Sequence, residues 1–466
     1  MRKFKHRFQM YRYLAERRAD ILAEAARTAE ELGIPAELRG KFGLAEESPR
    51  CPPTLRRLLS PAASKATCEA MSPGRVVDCI RELVKDYYGD EWDAVPMSTC
   101  EAALSLVYDH LFTPSLPTGS SLYRARYLAP YEKHQYRHIP YGRPFPPRYK
   151  YLMGGGAVEA LLVPLVGARY ENHGISYRPV ALLTEVDPDA SYERLVQMAE
   201  LHAQQLVGVV SLGHDTPGYG YGARDEQGTP LLQKYMGELA VEFNLPYVVD
   251  NAHGFPFIGT DPRAVGADIM VYGVGEGGSL IIGREEVMAS VTDALNMGHG
   301  TGWGGHGGSF ASGPNDAKKT LFAQLAILRC LKDAPELLTE NVDLLEGIVR
   351  EEFAQACRAI REAVSITKSY NSGWVEVNYE KSWANGRMGI PIFTAEDAYA
   401  GSHLIRSGLA AMGIIPGPSC DASIFISPGT GTCDSEGRLR VKLVRYAVRG
   451  LVRVLEICAR HSGYLD

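Results

Sequence analysis

The stretch LPYVVDNAHGFPFIGTDPRAVGADIMVYGVGEGGSLIIG, residues 245–283, contains three short apolar runs. The runs do not alternate between apolar and polar residues, which is typical of strands buried on both faces of a sheet. Polar residues and glycines follow the first two runs, at the points where strands should end. The stretch therefore predicts buried strands with polar ends, and ligands of open α/β sheets bind beyond such ends.

The same alternation extends towards the N-terminus. Strand-helix-strand order indicates a parallel sheet with right-handed crossovers, so we expect a large α/β domain. The predicted strands and helices upstream are the helix VVDCIRELVKDYYG (76–89), the strand end AVPMST (94–99), the helix EAALSLVYDHLF (101–112), the strand VALLTEV (180–186), the helix SYERLVQMAELHAQQ (191–205), the strand LVGVVSLG (206–213) and the helix PLLQKYMGELAVEFN (230–244).

The flanking regions have other patterns. Residues 8–33 predict one amphipathic helix closed by Gly33, whereas 120–151 is rich in tyrosine and proline without periodicity and predicts a functional loop. A long helical pattern over 316–362 leads to a smaller α+β region, with strands SGWVEVNY (372–379) and RLRVKLV (438–444) and a terminal helix over 448–463. We predict an N-terminal helical arm (1–75), a large domain (76–335) and a small C-terminal domain (336–466).

The bulk composition excludes some functional classes. A net charge of −6 gives no long-range attraction for nucleic acid or for anionic membranes. The nine cysteines show no CxxC spacing, so a reduced, cytoplasmic setting is expected. The basic N-terminus lacks an apolar signal region, and no run of about 18 apolar residues predicts a membrane span.

Four strand ends carry side chains suited to chemistry. The first is Ser98-Thr99-Cys100 before a helix, where hydroxyls and free N–H groups can bind a phosphate. His214 follows the second strand, Asp250 and His253 follow the third, and Glu276 is the only charged residue of the glycine-rich segment after the fourth. Taken singly, each also fits an ordinary helix cap or a turn residue, or an aspartate bonded to loop amides.

The four segments together resemble the fold type I pyridoxal 5′-phosphate (PLP) enzymes, the aspartate aminotransferase superfamily, especially its cysteine-desulfurase-like and selenocysteine-synthase-like branches. The resemblance implies a mainly parallel, seven-stranded-type sheet with a small α+β domain, and it covers roughly residues 76–335. The matching text is MSTCEAAL (97–104), TEVDPDASYERL (184–195), VVDNAHGFPF (248–257) and GADIMVYGVGEGGSLIIG (266–283).

The resemblance implies a role for each matching residue. Asp250 would pair with the pyridine nitrogen of PLP, while His253 and His214 would lie beside the ring and its 3′-oxygen. The other implied residues are Ser98, Thr99 and Cys100 for the phosphate, Tyr131 or His134 stacked on the ring, Ser309 or Ser312 reaching the phosphate of a neighbouring subunit, and Arg440 for a substrate carboxylate.

One position departs from the family pattern. Glu276 stands where the family keeps its Schiff-base lysine, and no lysine lies between Lys234 and Lys318. Because a carboxylate cannot form an imine, PLP is expected to bind non-covalently. Three explanations stay open: Glu276 is the acid–base group, catalysis has been lost, or the alignment of Glu276 with the lysine is wrong or reflects a substitution.

The predicted function follows from these points. We expect chemistry at Cα or Cβ of a small amino-acid-like substrate, with elimination or a related transfer favoured over transamination, because lysine normally moves the proton in transamination. The alternatives are a non-catalytic PLP-fold protein or partner subunit, and a pocket for another phosphorylated ring or a carbonyl substrate. The family implies a homodimer, and neither nucleic acid nor membrane is an expected partner.

Overall fold

The computed structural model describes most of the chain, in fourteen segments. They are residues 7–44, 71–112, 125–131, 158–171, 180–182, 186–213, 222–274, 278–297, 316–378, 403–417, 419–420, 423–428, 432–434 and 437–461.

Strands and helices alternate through the first two thirds of these segments. The strands are β1 (Trp92–Met97), β2 (Ala125–Tyr131), β3 (Val158–Pro164), β4 (Arg169–Glu171), β5 (Val180–Leu182), β6 (Leu206–Leu212), β7 (Tyr247–Asn251), β8 (Ile269–Val274), β9 (Gly278–Arg284), β10 (Ser365–Ser369), β11 (Trp374–Asn378), β12 (Ser419–Cys420) and β13 (Ser423–Ile426). The helices are α1 (Arg7–Glu31), α2 (Pro73–Tyr88), α3 (Cys100–Leu111), α4 (Pro188–His202), α5 (Leu231–Glu242), α6 (Glu285–Met297), α7 (Asp316–Asp333), α8 (Glu336–Ala354), α9 (Arg358–Ala363), α10 (His403–Ala411) and α11 (Val441–His461).

A seven-stranded sheet forms the centre of the large domain, with strand order β3-β2-β6-β7-β8-β9-β1. Strands β2, β3, β6, β7 and β8 pair in parallel, while β9 runs antiparallel to both β8 and β1. The predicted mainly parallel, seven-stranded architecture is thereby confirmed. Non-alternating apolar runs form these strands because both faces of the sheet are covered.

Helices cover the two faces of this sheet unequally. Successive residues of β8 enter different cores, with Met270 and Tyr272 on the face covered by α2, α4, α5 and α7. Ile269 and Val271 instead pack on the face covered by α3 and α6. The result is a three-layer domain in which the carboxyl ends of the parallel strands meet at one edge.

The small domain has its own four-stranded antiparallel sheet, in the order β10-β11-β13-β12. One face packs on α8, α10 and α11, and α1 belongs to the same core through Ile21, Ala25 and Ala29. The Tyr13 hydroxyl also donates to the His461 carbonyl at 2.8 Å. The N-terminal helix therefore packs against the C-terminal domain, while the predicted domain boundaries stay predictions.

Four local predictions differ from the structure. Residues 125–131, predicted as loop, form the sheet strand β2. Within the predicted strand 180–186, Val180–Leu182 forms β5, which pairs with β4 outside the main sheet. Pro335 separates α7 from α8 because proline cannot continue a helix, so the single pattern over 316–362 is broken.

The prediction of a strand over residues 438–444 is wrong. Leu439 makes only an isolated bridge to Cys433, and α11 begins at Val441. Leu443, Ala447 and Leu451 then recur at helical spacing in the small-domain core, so packing selected the helix over the alternating pattern.

Candidate active site

The candidate site lies where β6, β7 and β8 end. The register places Leu212 beside Asp250 and Asp250 beside Val271, so the aspartate stands at the carboxyl end of the central strand. The Gly213 N–H donates to the Asp250 carbonyl at 2.8 Å and extends the ladder by one bond. The site therefore occupies the edge at which open α/β sheets bind ligands.

Asp250 is almost fully buried, with 1% of its surface exposed. One carboxylate oxygen accepts a hydrogen bond from the Ala252 N–H at 3.2 Å. Burial of a carboxylate is costly unless it is paired or hydrogen-bonded. Asp250 is therefore buried and fixed in place at the edge of the sheet. This position fits its predicted role as the partner of a protonated pyridine nitrogen.

The N-terminus of α3 faces the same edge. The Thr99 side chain accepts from the Ala102 N–H at 3.1 Å and caps the helix, while Ser98 is half-buried beside it. The ordinary cap function considered for this segment is therefore present. A capped helix N-terminus still presents positive potential and hydroxyl groups, which is the donor set that a phosphate needs.

Gly273 brings the helix and the strand ends together. A Cβ atom at this position would lie 2.3 Å from the Ala252 carbonyl oxygen and 3.9 Å from the Cys100 sulfur. The Cys100 thiol also approaches the Tyr272 carbonyl at 3.9 Å. Only a glycine allows this close approach of the segment after β7, the end of β8 and the start of α3.

Two asparagines fasten the segment after β7 to the small domain. Asn251 and Asn371 exchange two hydrogen bonds of 2.9 Å, and the Asn371 amide also donates to the Gly213 carbonyl at 3.1 Å. The Thr260 N–H donates to the Asn371 side-chain oxygen at 3.0 Å, and the Phe255 N–H to its backbone carbonyl at 2.7 Å. Asn371 thus holds both ends of the segment 251–260.

His253 faces an aromatic pair of the small domain. Its ring centroid lies 5.8 Å from that of Trp374, which in turn packs on Phe425 at 4.2 Å. Leu212, at the end of β6, completes this buried cluster. The small domain therefore covers the sheet edge next to the predicted ring-binding residues.

A buried tyrosine stabilises the segment that follows β7. The Tyr272 hydroxyl donates to the Thr260 carbonyl at 2.9 Å, and burial raises the pKa of Tyr272 well above its ordinary value. The side chain therefore stays neutral at physiological pH and acts as a hydrogen-bond donor, which fixes the segment that follows β7.

The remaining predicted residues divide into two groups. Tyr131 is half-buried at the carboxyl end of β2, and Arg440 is exposed, with its backbone N–H donating to the Thr432 carbonyl at 2.6 Å. Their binding roles stay predictions. Five further candidates lie outside the described residues, namely His134, His214, Glu276, Ser309 and Ser312.

Two residues of the site were not predicted. Asn371 lies in the segment YNSG (370–373), whose composition indicates only a turn, and Trp374 opens a strand that looks like ordinary core. Nothing in the local pattern relates either residue to β7, which lies about 120 positions earlier in the chain.

Within the described ranges, no group of three or more histidine, cysteine or acidic side chains forms a metal cluster. Nor does any described helix combine the length and apolar character that a membrane span needs.

Several solved structures that resemble this fold are aminotransferases. Ureidoglycine–glyoxylate aminotransferase from Bacillus subtilis matches with a TM-score of 0.50 and 13% identity, covering 92% of this chain and 95% of that chain. Pyridoxamine–pyruvate aminotransferase from Mesorhizobium loti gives 0.50 and 15%, with 92% and 94% covered. The omega-transaminase from Pseudomonas jessenii in complex with PMP gives 0.54 and 12%, with 88% and 86% covered.

Sequence comparison adds no family assignment. No family model matches the chain, and no curated protein matches it. Identities of 12–15% to the solved structures relate the fold rather than the reaction. Together with the strand order and the small antiparallel sheet, they establish that this chain has the aminotransferase-like fold predicted from its sequence.

Proposed function

We propose that this protein binds PLP non-covalently and acts at Cα or Cβ of a small amino-acid-like substrate. The observation that carries this proposal is the burial of Asp250 at the carboxyl end of β7, between β6 and β8. When bound, PLP supplies an electron sink for negative charge that develops next to the substrate nitrogen. A carboxylate against the pyridine nitrogen is the group that keeps this sink protonated.

The described residues supply binding groups for both ends of the cofactor. Ser98, Thr99 and the N-terminus of α3 would hold the phosphate, and Asp250 would hold the ring nitrogen. His253, placed between the end of β7 and Trp374, would flank the ring. The exclusion of water by the Leu212, Trp374 and Phe425 cluster would strengthen each of these electrostatic contacts.

Glu276 is the proposed acid–base group. Strand β8 ends at Val274 and β9 begins at Gly278, and this pair closes the β8–β9 ladder at the edge that carries Asp250. The three-residue connection contains Glu276 and no lysine. A carboxyl group shielded from water can have a pKa in the range useful for proton transfer. Elimination or a related transfer at Cα or Cβ is proposed ahead of transamination for this reason.

A second candidate function rests on the same substitution. Loss of the Schiff-base lysine is the change expected of a protein that keeps the PLP fold as a non-catalytic or partner subunit. Retention of Asp250, His253, Ser98 and Thr99 favours cofactor binding over this alternative. A homodimer, which the family resemblance implies, and a cytoplasmic setting, which the cysteine pattern favours, are part of the proposal.

The first test measures how PLP is held. Purified full-length protein is mixed with PLP, its visible absorption is recorded, and borohydride reduction is followed by intact-mass analysis. The proposal expects a protein-bound chromophore without a mass increase in the wild type, and a mass increase in Glu276→Lys.

Three results would count against parts of this proposal. A mass increase in the wild type would show that some lysine of the chain reacts, and Glu276 would lose its role. No mass increase in PLP-loaded Glu276→Lys would show that position 276 is not aligned with the family lysine. Absence of a bound chromophore would favour a PLP-fold protein without the cofactor.

A further inference from the structure

One face of the small sheet carries buried polar side chains. Along β11, Val375 and Val377 enter the small-domain core, so Trp374, Glu376 and Asn378 lie on the opposite face. The register of β11 and β13 places Phe425 opposite Glu376 and Ser423 opposite Asn378. We call this set of five residues the polar face. All five members are at most 3% exposed.

The polar face is turned towards the candidate active site. Trp374 contacts the His253 ring and forms a buried cluster with Phe425 and with Leu212, the last residue of β6. Because alternate residues of a strand share one side, Glu376 points to the same side of the small sheet as Trp374. Two members of the polar face, Trp374 and Phe425, therefore pack against the sheet edge that carries Asp250.

Among the described residues, only one of the two Glu376 side-chain oxygens has a hydrogen-bond partner. Its Oε1 atom accepts hydrogen bonds from the Ser423 hydroxyl at 2.5 Å and from the Asn378 amide at 3.1 Å. The side chain is fully buried, yet within the described part of the chain Oε2 has no hydrogen-bond partner. Ser423 and Asn378 thus fix the orientation of the carboxylate, while its buried second oxygen has no partner in the described part of the chain.

Trp374 carries the second unpaired atom. Its indole Nε1 is buried and, among the residues that the structure describes, finds no acceptor. A tryptophan N–H can only donate, whereas a carboxylate accepts. The two atoms belong to residues two positions apart on one strand, a Cα separation of about 7 Å. The polar face therefore offers an acceptor and a donor at a spacing that one small molecule can span.

We propose that Glu376 and Trp374 form a specificity subsite for substrates with a cationic or N–H-donating group at the end remote from the reacting carbon. Glu376 Oε2 accepts from that group, and the Trp374 indole donates to an acceptor elsewhere on the same molecule. Buried polar atoms left unpaired are costly, so a ligand that pairs them is preferred over an apolar molecule of equal size. This inference rests on the proposed function, because it names the class of amino-acid-like substrate for that site.

The test compares two amino acids of similar length. L-lysine carries a terminal ammonium group, whereas L-norleucine has the same carbon chain without it and ends in a methyl group. Binding of each to full-length, PLP-loaded protein is measured by titration calorimetry, without reliance on turnover. We expect the wild type to bind L-lysine at least about tenfold more tightly, and Glu376→Gln to reduce the ratio of the two dissociation constants to about 1.

Two further variants make the result specific. Glu340→Gln removes one negative charge from an exposed position of α8 and should leave the ratio unchanged. Trp374→Phe removes the indole N–H and should weaken both ligands together, and it keeps the subsite testable if Glu376→Gln does not fold. Equal binding of the two amino acids by the wild type, or an unchanged ratio in Glu376→Gln, would overturn the subsite.

The absorption spectrum of the same samples distinguishes failure of the Glu376 subsite from failure of the proposed function. Bound PLP with no preference for L-lysine would refute the Glu376 subsite and leave the proposed function standing. Protein that retains no PLP would refute the proposed function, and the subsite would fall with it.

Discussion

Replacement of Asn371 by alanine should destabilise the protein strongly. The Asn371 side chain takes part in four buried hydrogen bonds, two with Asn251 and one each with Gly213 and Thr260. They connect the small domain to the ends of β6 and β7. Alanine would leave the Asn251 amide, the Gly213 carbonyl and the Thr260 N–H buried without these partners.

The magnitude follows from the number of groups left unpaired. One buried polar group without a partner costs about 1–3 kcal/mol, and relaxation recovers part of the sum when several are exposed together. We therefore expect Asn371→Ala to lower the free energy of unfolding by about 3–5 kcal/mol, at the upper end of single-residue effects. PLP affinity should fall as well, because the segment that follows Asp250 loses its anchor.

The neighbouring residue supplies a matched control. Ser372 is 3% exposed, and its hydroxyl has no partner in the described part of the chain. Its backbone N–H donates to Ser369 and is unaffected by a side-chain change. Ser372→Ala should therefore leave the free energy of unfolding within about 0.5 kcal/mol of the wild type, or raise it.

Urea denaturation, monitored by tryptophan fluorescence, measures the free energy of unfolding of both variants. Trp374 lies three residues after Asn371 and is buried, so its fluorescence should report the unfolding transition. A loss of less than about 1 kcal/mol in the free energy of unfolding of Asn371→Ala, or an equal loss in both variants, would contradict this prediction. Either result would mean that the asparagine pair contributes little to holding the two domains together.

Three further predictions follow from other parts of the chain. Asp250→Ala should abolish PLP binding because the ring nitrogen loses its charge partner, and an unchanged affinity in an absorption titration would remove Asp250 from the site. Gly237→Ala should lower the free energy of unfolding by about 1–3 kcal/mol, because its Cβ would lie 2.1 Å from the Val265 carbonyl oxygen, whereas Gly347→Ala, with open space around it, should raise it by up to about 1 kcal/mol in the same urea assay. Burial alone would raise the pKa of Glu24, but hydrogen bonds from His461 and Arg460 outweigh it and lower that pKa below 4.5. A lowered carboxyl pKa adds stability above the unfolded pKa and loses it as the pH falls through the folded pKa, so the difference in melting temperature between wild type and Glu24→Gln should be present at pH 7 and shrink as the pH falls through the lowered pKa of Glu24. A difference that stays unchanged in acid would contradict the ion pair.

The large domain was predictable because its signals are local. Buried parallel strands need unbroken apolar runs, and LVGVVSL, PYVV and ADIMV provide them with helical patterns between. The position of Asp250 could be predicted too, because the end of a strand is fixed by where its apolar run stops. Strand β2 escaped prediction because its aromatic residues and Pro130 read as a loop. The sheet tolerates Pro130 because β6 pairs only with Arg126–Leu128 of this strand, and the proline lies beyond that pairing.

The amino-acid sequence by itself determined the aminotransferase-like architecture and indicated the edge of the sheet at which a ligand should bind, and its resemblance to the PLP enzymes predicts a glutamate at the position of their lysine. Each of these depends on residues close together in the chain. The tertiary structure alone placed Asn371 and Trp374 against that edge, and it turned residues 441–444 into helix. These outcomes depend on packing between segments that lie far apart in the chain, 120 residues in the case of Asn251 and Asn371, and this packing determines which buried polar atoms find a partner.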